Sequence, residues 1–510
     1  MENKYFILNV DEHKNLYTFD VEGRSPFETG VPLLDISDET IRQIYYFRWH
    51  TYCSHIKETP EGYVVTEFQP NVAWAGKYNT ISCPLGHHFY EGRWIHNQKY
   101  LSDNAKFWLS ESAAPRKYSS WLGDCYYAYA MVTGNFELVE ELYEKIKENY
   151  FIWEQGYLQD NGLFYQIDDR DGMEYSASGN GLRPTINSYM YGDMVALQKI
   201  AKRLGKAEDE AMWAEKANKL RSLINTVMWD EKAEFYKNIA EVTDKLHSPD
   251  RYDHSNPNIP DTTGMEFKMA DVREEVGYIP WYFNIPDSDE KSVAWKFLND
   301  ENHFYAPYGP TTAERCFPDF MELFDHECLW NGPSWPFATT QTLVAMANLL
   351  NNYNQDVVSK TDYFNLLKMY ASEHYLEENG KKVPFIDEEI DPFTGEWATK
   401  KILEQMENPP GGAERGKNYN PSGFCDLVLS GLAGVRPRDD GALEVNPMFD
   451  EENLDYMCAD GIMYHGHSIT VLWDKDGSRY GKGAGLHIYV DGKEAASQNT
   501  TDKVIIEEKF

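Results

Sequence analysis

Three glutamates stand where a carboxylate could do acid–base work. Glu174 lies between Met173 and Tyr175 in "RDGMEYSASGNGLRPTINSYMYGDM", residues 170–194. Glu327 lies in "DHECLWNGPSWPF", residues 325–337, and Glu414 in "PPGGAERGKNYNPSGF", residues 409–424. A core helix would not tolerate Gly172, Gly179, Gly181 and Pro184 in so short a span, and a solvated loop has no need of Met and Tyr around an acid. Such a stretch holds a carboxylate in a shaped, partly apolar place. Cleaving an acetal needs two carboxyl groups, one protonated beside the leaving oxygen and one ionised on the opposite side. Apolar surroundings raise the pKa of one of them, which is how two like groups take different roles.

Around these acids the sequence gathers side chains suited to a sugar. Pyranose faces stack on aromatic rings while hydroxyls meet polar groups, and Trp74, Tyr78, Trp94, Trp330, Trp335 and Tyr419 offer rings in loop-like contexts. Arg183 and Asn331 sit beside the acids. "YNTISCPLGHHFYEGRWIHN", residues 78–97, adds His87, His88 and Arg93 as polar contacts. The histidine spacing there would also suit a metal, but no second ligand cluster stands out, so neither a metal nor another cofactor is expected. No phosphate-cradling Gly-x-x-x-x-Gly-Lys-Ser/Thr loop, Gly-x-Ser-x-Gly elbow or His-Glu-x-x-His helix occurs.

Composition narrows the class. The 510 residues are 42% hydrophobic, which excludes a disordered chain. The net charge of −35 repels nucleic acid and anionic membranes, which are bound through clustered Lys and Arg. Aromatic residues make up 15%, with 14 Trp and 35 Tyr, more polar-edged rings than a dry core favours. Cys53, Cys83, Cys125, Cys316, Cys328, Cys425 and Cys458 are odd in number and never paired as Cys-x-x-Cys, which suits reduced thiols. With no secretory start in MENKYFILNV and no apolar run of membrane-spanning length, a cytoplasmic location is expected.

The elements that must position the site are mainly helical. Apolar residues recur at spacings of three and four at Phe136, Val139, Leu142, Ile146 and Tyr150; at Met194, Leu197, Ala201 and Leu204; at Trp213, Ala217, Leu220 and Ile224; and at Leu343, Met346, Ala347 and Leu350. Each is a one-sided stripe, so the helices pack on a common body, and the aromatic loops between them would form a cleft at one end. After about residue 436, "EVNPMF", "SITVLW" and "GLHIYVDG" read as short strands with hairpin turns at Asp476-Gly477 and Asp491-Gly492. "DKDGSRYG", residues 474–481, is read as one such turn, since the closing Glu of a calcium loop is missing. "GYVVTEF" predicts a strand within a mixed N-terminal stretch.

Four motifs, in order, resemble those of the (α/α)6-barrel glycosidases in the mannosylglycerate hydrolase and processing α-glucosidase group, family 63. Asp171-Gly172-Met173-Glu174-Tyr175-Ser176 resembles their Ser-Gly-Met-Asp-Asn-Ser segment. "MWDEKAEFY" at 228–236 resembles the way they end a barrel helix. Trp330 to Pro336 resembles their Trp-Arg-Gly-Pro-x-Trp loop, and Tyr419-Asn420-Pro421-Ser422-Gly423 their Glu-x-Tyr-Asn-Pro-x-x-Gly stretch. The resemblance implies a mainly α fold, an (α/α)6 barrel over residues 71–435. A mixed segment, 1–70, would pack on it, and a small β-sandwich-like domain, 436–510, would follow, similar to those appended to rhamnosidase-like helical glycosidases. It implies an inverting, exo-acting glycoside hydrolase on an oligosaccharide or small glycoside. The family acid falls on Glu174; the family base position is Lys417 here, which leaves Glu414 as the nearest acid and Glu327 as the reserve. A sugar isomerase or epimerase using His87 and His88, a polysaccharide lyase, and a non-catalytic carbohydrate-binding protein are the competing readings.

Overall fold

The computed structural model describes residues 4–242, 262, 264–324, 326–421, 423–507 and 510; Asp325 and Ser422, quoted in the motifs above, lie outside them. All four apolar stripes form helices: Phe136–Tyr157, Pro184–Arg203, Ala207–Leu223 with a π-turn continuing it to Met228, and Pro336–Asn352. In each, the stripe residues at the centre of the helix are buried.

Among the described residues, six helical segments close into an inner ring. Leu85–Gly92 contacts Leu122–Thr133, which contacts Pro184–Arg203, then Ile279–Tyr282, then Pro336–Asn352, then the segment Phe424–Leu432, which returns to the first. Outside them run Glu39–Ser54, Lys99–Trp108, Phe136–Tyr157, Ala207–Leu223, Asp289–Phe297 and Lys360–Glu373. This is the expected (α/α)6 barrel. Inner helices must approach closely, and at Gly86 a Cβ would stand 1.9 Å from the Trp121 ring. Two inner helices open on proline, at Pro184 and Pro336. Proline at the first helical position gives up an N–H that has no helical partner anyway, and it forces the preceding residue to be extended. Arg183 and Trp335 accordingly have ψ of 144° and 116°, which starts each helix sharply beneath a loop.

The C-terminal strands form two sheets. Tyr456–Tyr464, His467–Asp474, Gly485–Val490 and Lys493–Gln498 run antiparallel in one, and Val435–Pro437, Leu443–Val445 and Val504–Ile506 make the other. Asp491 and Gly492 take the positive φ that a two-residue turn requires. Asp476-Gly477 does not make such a turn. It lies in a longer connection, organised by the Asp474 carboxylate, which accepts the backbone N–H groups of Gly477, Arg479 and Tyr480. The first strand of the chain, Leu33–Ile36, completes the larger sheet by pairing with Tyr456–Tyr464. The N-terminal segment therefore joins the β domain and, through Glu39–Ser54, supplies an outer helix of the barrel, so the barrel draws on residues ahead of the expected start at 71. Among the described residues, no helix is long and apolar enough to cross a membrane.

Candidate active site

A cavity of about 490 Å³ opens at the end of the barrel where the inner helices begin. The loops leading into those helices line it: Cys83 before Leu85, Tyr118 before Leu122, Gly172 and Glu174 before Pro184, Trp330 and Trp335 before Pro336, and Tyr419 before Phe424. Helix N-termini carry partial positive charge, so acids brought here meet a favourable field.

Glu174 is placed by a tightly determined loop. Gly172 has φ +73°, and a Cβ there would meet Cys83 Sγ at 2.7 Å, so only glycine lets the chain pass. Arg183 braces the loop from beneath, fully buried, with its Nε 2.6 Å from Asp171 and its other nitrogens on Ser176 Oγ, the Gly179 carbonyl and Met173 Sδ. Arg183 thus positions the acid and does not reach the cavity, which corrects its expected role as a substrate contact. Tyr175 takes φ +56° and stacks on Phe324. A bulky residue in the left-handed region costs about 1–3 kcal/mol and persists where surrounding contacts over-determine it. The Glu174 carboxylate accepts the Trp330 indole N–H at 3.0 Å, and its carbonyl accepts the Trp330 backbone N–H. Burial pushes its pKa well above the ordinary carboxylate range, and the negative charges of Asp169 and Glu388 push the same way.

Of the other expected residues, Trp74, Glu327, Trp330, Trp335 and Tyr419 also line the cavity. Trp335 stacks between Trp330 and Phe337 at 4.5 and 4.4 Å and is only 2% exposed, so it belongs to the core and to the cavity wall together. Glu327 is bonded to Arg415 at 2.9 Å. Burial alone would raise its pKa, but Arg415 and His326 more than offset that and hold it below the ordinary value.

Several expected residues are elsewhere. Glu414 turns outward after Gly411 and Gly412; its side chain is 59% exposed and pairs with Lys400 at 2.6 Å, so it is not brought to the cavity. Arg93 and Trp94 both bond Asp426 at the opposite end of the barrel. His87 and His88 are buried within the inner helix Leu85–Gly92, where burial lowers each to about 3, and they sit as neutral rings among Trp121, Phe337 and Tyr52. Tyr78 is half-buried and donates to Glu61. Asn331 donates to the Glu322 carbonyl away from the cavity. Among the described residues, the His/Cys/acid group with metal-like spacing is His303, Glu314 and Cys316, remote from these histidines, and its Glu314 is already paired with Arg273 at 2.7 Å.

The site also contains acids that the motifs did not single out. Asp387, Glu388 and Glu389 are consecutive and buried, and of these Glu388 lines the cavity together with the buried Glu67. Glu388 holds Arg415 through Nε and Nη2 at 3.2 and 3.0 Å. Glu389 accepts the Leu329 N–H, and Ile390 bridges Ser334, so the Glu388 segment is tied to the Trp330–Trp335 loop. Burial first, then neighbouring negative charge, raises Glu67 and Glu389 to about 8 and Asp387 to about 7. The signal was present in "VPFIDEEIDPF", an acid run framed by apolar residues, the same criterion that marked Glu174.

Comparisons with known proteins agree with the fold. The family model described as the mannosylglycerate hydrolase MGH1-like glycoside hydrolase domain matches residues 77–420. That of the glycosyl hydrolase family 65 C-terminal domain matches residues 435–496. A solved structure described as a sialidase is 36% identical with a TM-score of 0.87, covering 99% of this chain; this chain spans 45% of it. The family 63 mannosylglycerate hydrolase from Thermus thermophilus, in complex with glucose, shares the fold at a TM-score of 0.51 and 10% identity, over 76% of this chain and 100% of that one. A family 78 rhamnosidase from a Bacillus species shares it at 0.53 and 14%, over 90% and 41%.

Proposed function

The chain belongs to the mannosylglycerate hydrolase MGH1-like glycoside hydrolase family, and from that premise we propose that the cavity hydrolyses a glycosidic bond with Glu174 as general acid. The observation that carries this is the paired environment of the acids. Glu174 is buried and met by the Trp330 indole and the Cys328 thiol, and among the described residues no cation bonds it, an environment that favours its protonated form. Glu388 shares Arg415 with Glu327, the environment of an ionised carboxylate. Glu388, whose charge reaches Glu174, is the general base in this reading, and Glu327 fixes Arg415 beneath it. Glu414, outside the cavity, has no part in the chemistry.

In the reaction, Glu174 gives its proton to the leaving oxygen while water, deprotonated by Glu388, attacks the anomeric carbon from the other face. The products are a hemiacetal of inverted configuration and an alcohol. The cavity volume suits one sugar ring and the start of its aglycone, which supports exo-action. The buried neutral state of His87 and His88, away from the cavity, removes the histidine pair on which an isomerase reading rests. The unpaired state of the seven cysteines supports a reducing, cytoplasmic compartment. Incubation with a panel of nitrophenyl and alkyl pyranosides tests the reading. Release of reducing sugar, with the first-formed anomer opposite to the substrate's by NMR, is expected. An unsaturated or isomerised product would contradict it.

A further inference from the structure

One wall of the cavity comes from residues 66–80, largely ahead of residue 77, where the family similarity begins. It supplies Glu67, Phe68, Ala73 and Trp74. This wall is fastened to the barrel. The Asn420 backbone N–H donates to the Glu67 carbonyl at 3.3 Å, the Asn420 amide to the Thr66 carbonyl at 3.1 Å, and Arg48 holds the Tyr419 carbonyl at 3.0 Å. Glu67 is 6% exposed. The Tyr419 hydroxyl, on the same cavity wall, favours the ionised form of Glu67 against the stronger effect of burial, and it accepts the Trp335 indole N–H at 3.4 Å.

Among the described residues, no cation answers Glu67. Arg415, the nearest, has every nitrogen committed: Nε and Nη2 to Glu388, Nη1 to Glu327 and the Pro410 carbonyl. Buried carboxylates are normally paired, so Glu67 is left as a neutral carboxyl, which both donates and accepts a hydrogen bond. A sugar hydroxyl also does both. The wider lining bears Glu67, Glu174, Glu327 and Glu388 against Arg415 and Lys117, and the Lys117 ammonium donates to the Trp74 carbonyl. A carboxylated sugar is bound best by a free guanidinium, which meets it with two bonds; among the described residues none lines this cavity, and the acids there outnumber the cations.

We propose that Glu67 is a specificity-determining residue that hydrogen-bonds one hydroxyl of an uncharged pyranose, and that the acid-rich lining turns anionic sugars away. This rests on the reading of the cavity as a glycoside site. It also separates this chain from the substrate suggested by the word sialidase.

Direct binding tests it without turnover. The probes are neutral monosaccharides, their monodeoxy forms, glucuronic acid and sialic acid, measured by calorimetry or ligand-observed NMR. The wild-type protein should lose about 10-fold affinity when one particular hydroxyl is removed, the weight of a single hydrogen bond, and should bind both acids at least about 100-fold more weakly than the best neutral sugar. Glu67→Leu should lose the same factor and no longer discriminate that deoxy sugar. Glu67→Gln should retain most affinity at pH 6.5. Wild-type affinity should weaken between pH 7 and 9 as Glu67 ionises beside Glu388, with Tyr419, Arg415, Cys83 and Tyr118 the other titratable or charged groups around it, and Glu67→Gln should abolish that weakening. If the leucine variant does not fold, Glu67→Asp, which withdraws the carboxyl by one methylene, takes its place under the same criterion. Unchanged deoxy discrimination in the variant, or tight binding of either acid by the wild type, would overturn the proposal. Sugar binding that depends on Glu67 without any hydrolysis would sink the proposed function and leave this inference standing. Hydrolysis with binding indifferent to Glu67 would do the reverse.

Discussion

The two ends of the barrel axis are built from the same residue types and differ in how their charges are met. At the end where the inner helices finish, a second cavity of about 290 Å³ is lined by Tyr90, Arg93, Asp124, Tyr282, Asp426 and Arg436 among others. There cations stand beside the acids: Arg93 bonds Asp426 at 2.9 Å, Arg436 lies 3.6 Å from Glu444, and Asp124, which accepts the Tyr90 hydroxyl at 2.7 Å, is reached by the charges of Lys199 and Arg93. At the opening end, Glu174 meets the Trp330 indole and the Cys328 thiol, and among the described residues no cation bonds it or Glu67. Aromatic and acidic content alone does not mark a reactive site. What marks it is acid that the fold declines to neutralise, because such groups keep protons and lose them within the range where chemistry runs.

That contrast can be broken by mutation. The largest effect is expected at the opening end: Glu388→Gln should lower kcat/KM by about 1,000-fold or more, within the span of general acid–base contributions, while a circular dichroism spectrum stays unchanged. Wild-type activity in this variant would remove Glu388 from the mechanism. Next in size is Asp426→Ala at the closing end. It strands Arg93 and the Trp94 indole without their acceptor, and breaking a buried pair costs about 3–5 kcal/mol. A clear fall in the denaturation midpoint is expected with kcat/KM per folded molecule nearly unchanged; a selective loss of activity would erase the distinction between the ends. A smaller effect is expected from Trp74→Ala, whose ring is half-buried: KM should rise about 10-fold, the worth of ~1–2 kcal/mol of apolar contact, with little change in melting. Trp335→Ala, by contrast, should damage both, since its ring is core as well as wall.

A further effect, spread over several groups, is a pH slope in stability. Glu67 and Glu389 rise from an ordinary 4.5 to about 8, and Asp387 from 3.8 to about 7. Between the ordinary and the raised values the folded protein holds protons that the unfolded chain has released, so stability is greatest below that window and falls as pH rises through it. The denaturation midpoint should be higher at pH 5.5 than at pH 8.5, and Glu389→Gln should flatten part of the slope. A midpoint that climbs with pH would show these carboxyls ionised in the folded state.

Much of this arrangement was legible in the sequence, and the failures have definite causes. The apolar stripes specified their helices because periodicity is a local property. Trp74, Glu174, Glu327, Trp330, Trp335 and Tyr419 were found because loops entering inner helices converge at one end. His87, His88, Arg93 and Trp94 were misplaced because the helix Leu85–Gly92 carries the chain about 12 Å along the barrel axis. Cys83, just ahead of it, lines one cavity, and Arg93, just after it, lines the other. Glu414 and Glu388 illustrate a second limit. Both sit in loops of unusual composition, yet the turn at Gly411-Gly412 sends one outward while the Ser334–Ile390 bridge holds the other inside. Nothing local could announce the pairing of Leu33–Ile36 with Tyr456–Tyr464, more than 400 residues apart.

The central claim is that Glu174, which no cation bonds among the described residues, is the proton donor. Glu174→Gln assayed on a nitrophenyl glycoside and on an alkyl glycoside of the same sugar tests it most directly. A nitrophenolate departs with little protonation and an alkoxide does not, so the loss on the alkyl substrate should exceed that on the aryl one by at least about 100-fold. Equal losses on the two would contradict the assignment.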